Sequence, residues 1–113
     1  MQRKIEEVRE RTPQLLEQLL AVWERSVQAT HLFLSPEEIA EIKAYVPQAL
    51  REVPHLIAAW GENGTPVAFM GIAGEKLEML FLAPEERGQG LGKELFQFLF
   101  FGLVRLAVII SDQ

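Results

Sequence analysis

The chain contains no cysteine. Disulfide staples, thiol nucleophiles and cysteine-ligated metals are therefore excluded. Histidine is scarce as well, with only His31 and His55, too few for a structural zinc site without thiolate partners, and no metal is expected. Tyrosine occurs once, at Tyr45. Positive charge is in deficit: 11 lysines and arginines face 16 aspartates and glutamates, a net charge of −5. That balance argues against a broad nucleic-acid footprint and mildly favours a small amine or cationic substrate. Long hydrophobic runs are missing too. The longest apolar stretch, 95–110, is shorter than the roughly 20 residues a spanning helix requires, and Gln97, Gly102 and Arg105 interrupt it. The first eleven residues are charged and hold no apolar core, so neither a signal peptide nor a membrane anchor is expected, and the location expected is cytoplasmic.

What is present is an ordinary globular composition, 49% hydrophobic and 24% charged over 113 residues. That length predicts one domain spanning 1–113. Lys4 to Arg11 alternates weakly and reads as an edge strand. Thr12-Pro13 supplies a capping hydroxyl followed by proline at the first helical position, where its missing N–H costs nothing. Leu15, Leu16, Leu19, Leu20, Trp23 and Val27 then recur at helical spacing. Ser35-Pro36-Glu37-Glu38 predicts a capping box and a second helix ending before Pro54, with Pro47 as a kink inside it. From Pro54 the period changes. Residues 56–60 and 67–72 read as strands joined by the Gly61–Gly64 turn, and a turn at 73–75 leads into a third, Lys76 to Leu82. A helix to about Phe101 and a final strand over 104–110 complete the reading. His55, before a strand, reads as structural. Trp23, Phe33 and Trp60 could line a pocket, although aromatics at these spacings are usually core.

The glycines of Arg87-Gly88-Gln89-Gly90-Leu91-Gly92 lie between that third strand and the last helix. A glycine-rich turn at a helix start suits phosphate, because the first N–H groups lack intrahelical partners and carry the positive end of the dipole. The spacing matches neither common phosphate motif. A P-loop would need glycine at Arg87 and a hydroxyl at Glu94, and a dinucleotide fingerprint would need a different glycine register. What remains is R-x-x-G-x-G preceded by an apolar strand and a Pro84 turn. Leu80 to Leu95 resembles the acetyl-CoA signature of the GNAT superfamily of N-acetyltransferases.

The resemblance extends over essentially the whole chain. It implies an α/β (α+β) fold, a mostly antiparallel mixed sheet flanked by helices in the order β-α-α-β-β-β-α-β. It also implies a fold shortened at its C-terminus, lacking the family's further helix and last two strands. The reaction implied is direct attack of an amine acceptor, small molecule or protein, on acetyl-CoA, with no metal. The resemblance implies a splayed or bulged strand before the signature, whose backbone holds the acetyl-pantetheine arm, and by motif position assigns this to Leu80, Phe81 and Leu82. The pyrophosphate falls to Arg87, Gly88, Gln89, Gly90, Leu91 and Gly92, with Lys93 as a further contact. For the base that frees the amine, Glu78 on the central strand is the first candidate. His31, which ends the first long helix, is the second. Val22 to His31 is similar to a subgroup of small bacterial acetyltransferases. The continuous apolar surface past Phe98 suggests either a homodimer through the C-terminal region or a helix packed between the sheet and the N-terminal helices. A CoA-binding module without turnover, or a dimerising remnant of such an enzyme, is the alternative reading.

Overall fold

The computed structural model describes residues 4–30, 34–86 and 88–95. Its elements are β1 (Lys4–Glu7), α1 (Pro13–Thr30), α2 (Pro36–Lys43), α3 (Val46–Glu52), β2 (His55–Trp60), β3 (Pro66–Ala73) and β4 (Lys76–Leu82). A 3₁₀ turn over Pro84–Glu86 follows β4, and residues 91–95 are helical. The strands form one antiparallel sheet in the order β1-β2-β3-β4.

The helix starts follow from local chemistry. Thr12 Oγ1 accepts from Leu15 N at 3.1 Å, and the Thr12 carbonyl takes the first helical bond from Leu16 N. At α2 the capping box is complete: Ser35 Oγ accepts from Glu38 N at 3.1 Å, and Glu38 Oε1 accepts from Ser35 N at 3.0 Å. The single helix expected before Pro54 is two helices. The chain turns at residues 44 and 45 and restarts with Val46-Pro47. Proline is tolerated in a first turn, where no N–H is needed, but removes a bond further in. Pro47 thus sets a boundary where a kink was expected. Arg11 Nη1 donates to the carbonyls of Leu50 and Arg51, and Nη2 to that of Pro54, so a cation satisfies the C-terminal end of α3.

β1 is shorter than the alternation suggested and ends at Glu7, although Val8 N still donates to Leu56 O at 2.7 Å. The β2–β3 loop closes with Gly61 N bonded to Thr65 O, and Gly64 within it has φ 81°. The β3–β4 turn is the two residues Gly74 and Glu75.

Two apolar clusters lie on the two faces of the sheet, because side chains alternate along each strand. One gathers α1, α2 and α3 over Leu56, Ala58 and Phe69, with Leu19, Leu50 and Phe69 fully buried. The other joins Ile57, Ala59, Ala68, Met70 and Ile72 to Leu91 and Leu95. Trp23 belongs to the first cluster, edge-on to Phe81 at 6.5 Å between centroids, so it is core rather than pocket wall. No described helix is long and apolar enough to cross a membrane. The final strand expected over 104–110, the helix beyond residue 95, and the dimer-forming surface past Phe98 lie outside the described residues.

Candidate functional site

β4 is the last described strand of the sheet, so the side of it away from β3 is unpaired among the described residues. Its register against β3 slips once. Gly71 faces Met79, yet Ile72 faces Leu77, leaving Glu78 as an extra residue on β4. This is a β-bulge, a feature that bends a strand and re-aims side chains, often beside active sites. Its effect on side-chain order can be followed. Leu77 pairs with Ile72 and Leu80 pairs with Met70, and both β3 residues belong to the second cluster. Odd and even positions of β4 therefore exchange faces across Glu78. Leu77 and Leu80 are 38% and 40% exposed, high for leucines in a sheet. Glu78 is exposed.

Gly71 explains why the bulge fits. A Cβ there would lie 2.8 Å from Met79 Cγ and 3.0 Å from Val53 Cγ2. Met79 thus crosses β3 where there is no side chain in its way, and packs against the first cluster.

After β4, Ala83 N donates to Val67 O at 2.8 Å, holding the exit of the strand to β3, and Ala83 is fully buried. The 3₁₀ turn Pro84–Glu86 then leads into the glycine turn. Gly88 and Gly90 have φ 77° and 83°, a region that L side chains rarely adopt. The first helical bond runs from Glu94 N to Gly90 O at 3.0 Å. The N–H groups of the residues just after Gly90 lie at this helix start. A Cβ added at Gly88, Gly90 or Gly92 would meet nothing within 4 Å, so the turn presents bare backbone to open space. Leu91 is fully buried and pins the helix start to the sheet, while Lys93 is exposed.

Two contacts that the sequence did not suggest fix this segment. Arg25 on α1 donates through Nη2 to both carboxylate oxygens of Glu85. Gln89 Nε2 donates to the Glu85 carbonyl at 2.9 Å. The arginine holds the Glu85 carboxyl below the usual carboxylate range, chiefly by its hydrogen bond.

A concavity adjoins this segment. It measures about 1090 Å³ and opens between the β2–β3 loop and the segment after β4. Glu62, Glu85, Glu86 and Glu94 line it against the cations Lys4 and Arg25. Gln89 of the glycine turn reaches its wall, whereas Gly88, Gly90 and Lys93 do not, and its carboxylates make the lining predominantly acidic. Trp60 does line this concavity, whereas Phe33 lies outside the described residues. His55 Nδ1 lies 3.0 Å from Glu7 Oε2, a contact between neighbouring strands. Of the two base candidates, Glu78 is on the bulge and His31 lies outside the described residues, as does Arg87. No metal-holding group of side chains occurs among the described residues.

A four-stranded antiparallel sheet with helices on both faces, an outer strand bulged near its middle and a glycine turn opening a helix defines an acetyltransferase-type fold. The family model for the acetyltransferase (GNAT) family matches residues 14–103. The chain belongs to that family. It is 44% identical over 97 residues to a peptidyl-lysine N-acetyltransferase, YjaB, of Salmonella typhimurium, a match covering 86% of this chain and 66% of that protein. The chain thus spans just under two thirds of that relative. The solution structure of apo YjaB from Escherichia coli superposes with a TM-score of 0.75 at 38% identity, over 88% of this chain and 65% of that one. A GNAT family acetyltransferase from Brucella melitensis, solved in complex with acetyl-CoA, shares the fold at a TM-score of 0.62 and 18% identity, over 96% of this chain and 70% of that one.

Proposed function

We propose that this chain binds acetyl-CoA along the free edge of β4 and the glycine turn, and serves acetyl transfer to an amine. A lysine side chain of a peptide or protein is the acceptor class. The acceptor follows the name of the Salmonella relative, and an acidic surface suits a cationic amine. The observation that carries the reading is the pair of left-handed glycines, Gly88 and Gly90, at a helix start directly after a bulged outer strand.

The residues present fit the donor. Bare backbone at Gly88, Gly90 and Gly92 admits a bulky diphosphate, and the N–H groups of Leu91, Gly92 and Lys93 favour its charge. Arg87, Gln89 and the Lys93 ammonium are the side chains assigned beside it. Leu80, Phe81 and Leu82 would offer main-chain groups to the acetyl-pantetheine arm from the edge facing away from β3. Glu78 would take a proton from the incoming ammonium, directly or through water, so that the neutral nitrogen can attack the thioester carbon. Attack forms the C–N bond and moves the carbonyl electron pair onto oxygen; collapse of that oxyanion breaks the C–S bond, the electron pair leaves with the CoA sulfur, and the surplus proton on nitrogen passes to the departing thiolate. Main-chain N–H groups near the bulge would stabilise the oxyanion.

Calorimetric titration with acetyl-CoA, on the wild type and on Gly90→Glu, tests the reading. Glutamate at φ 83° is strained and places a negative charge where the diphosphate is assigned. Saturable binding to the wild type, abolished by the substitution, supports the site. A folded wild type that does not bind overturns it. Binding without turnover of a lysine peptide would leave donor recognition standing and remove the transferase reading.

A further inference from the structure

The glycine turn is a stretch of exposed backbone with two left-handed glycines, Gly88 and Gly90. Little in its own sequence stiffens it. Its ends are held: Ala83 is bonded to Val67 on one side, and Leu91 is buried on the other. Between them the described structure supplies a tether from a distant element. Arg25 lies 60 residues upstream, on α1, and its Nη2 donates to both oxygens of Glu85. Glu85 in turn accepts, through its main-chain carbonyl, the Gln89 Nε2 from inside the glycine turn.

The anchor is rigid. Val22, Trp23 and Ser26, the residues around Arg25 on α1, are all at most 5% exposed. Arg25 therefore projects from a helix fixed in the first cluster. The pair itself is half exposed, so its effect on global stability is small. A contact that contributes little to folding can still restrict a loop that must be ordered for binding, and that ordering cost otherwise subtracts from affinity.

We propose that Arg25 and Glu85 are positioning residues: the pair ties the glycine turn to α1 through Gln89 and pre-orders its backbone for the donor's diphosphate. The inference deepens the acetyl-CoA reading above and rests on it. The low carboxyl range of Glu85 agrees with a pair that stays ionised into mildly acidic conditions.

The competing account is simple electrostatics, in which Arg25 attracts the donor and Glu85 repels it. The two accounts differ in sign at Glu85. Acetyl-CoA titrations would compare wild type, Arg25→Met, Glu85→Gln and the double variant. Positioning predicts that each single variant weakens binding by about two- to fivefold, and that the double variant is no worse than either. Tighter binding by Glu85→Gln, additive losses, or unchanged affinities would each overturn the proposal. A ligand-free measurement separates its failure from failure of the acetyl-CoA reading. Amide order parameters of Gly88 and Gly90 from ¹⁵N relaxation should fall in both single variants while the melting temperature holds. Unchanged order parameters overturn the tether, whereas a wild type that does not bind acetyl-CoA overturns the site and leaves the tether to be decided by these amides.

Discussion

β3 and β4 are neighbours in one sheet and equally apolar in sequence, yet they are opposites in burial. Of the eight residues of β3, PVAFMGIA, six are buried and none is exposed. Of the seven residues of β4, KLEMLFL, none is buried and four are exposed. Apolar content therefore does not separate a strand that builds the core from one that stays largely exposed. What separates them is position in the sheet and regularity: β3 is flanked on both sides, while β4 is the last strand among the described residues and is broken by a bulge at Glu78. Leucines left 38–40% exposed on an outer strand are costly unless something is meant to lie against them.

The contrast is broken or upheld most directly by truncating one large side chain on each strand. Phe69→Ala on β3 removes a fully buried ring and should cost about 3–5 kcal/mol, read by urea denaturation. Leu80→Ala on β4 should cost less than about 1 kcal/mol. Equal losses would show that the outer side of β4 is covered in solution, and that its exposure is no guide to function.

The next effect belongs to chemistry. If the bulge serves catalysis, Glu78→Gln should lower kcat on the order of a hundredfold with a lysine peptide, while the affinity for acetyl-CoA stays near wild type. The loss should shrink as pH rises and more of the acceptor becomes neutral unaided. A kcat within twofold of wild type would remove Glu78 from the mechanism. Smaller again is the effect of closing the gap that lets the bulge form. Gly71→Ala pushes a methyl against Met79 and Val53 and should destabilise by about 1–3 kcal/mol. Relaxation of Met79 without loss would show that the bulge does not depend on this glycine.

Much of this fold was legible because its signals are local. Capping at Thr12 and Ser35, the glycine turns and the helical spacing of α1 each depend on residues a few positions apart. The glycine turn at 87–92 was legible for the same reason: positive φ at Gly88 and Gly90 is what glycine in such a turn is for. The resemblance implied a bulged or splayed strand, but the position of the bulge was hidden. It is a relation between Glu78 and two residues of β3, and the run Met79-Leu80-Phe81-Leu82 shows no alternation from which a slip could be read. The Arg25–Glu85 pair was hidden more completely, since its partners are 60 residues apart and each looks like an ordinary surface charge on its own element. The split between α2 and α3 lay between these cases. Pro47 marked the place, but a proline alone does not choose between bending a helix and starting a new one.

The smallest effect concerns a region remote from the site, where α2 begins. Ser35→Ala removes the oxygen that accepts from Glu38 N and should cost about 1 kcal/mol. The same cap carries a pH signature of known sign. Hydrogen bonds from the Ser35 main chain, and secondarily from its side chain, hold the Glu38 carboxyl below its ordinary value. A carboxylate whose pKa is lower in the folded state adds stability that is present above its unfolded value and disappears as pH falls through the folded one. Glu38→Gln should therefore lower stability slightly at neutral pH, leave it nearly unchanged at low pH, and so flatten the acid limb of the profile. Acetyl-CoA binding should not respond, because this cap lies on α2 and the donor is assigned to β4 and the glycine turn. A change in affinity would mean that the helical face and the outer strand are energetically coupled, and the contrast between a core half and a ligand half would fail.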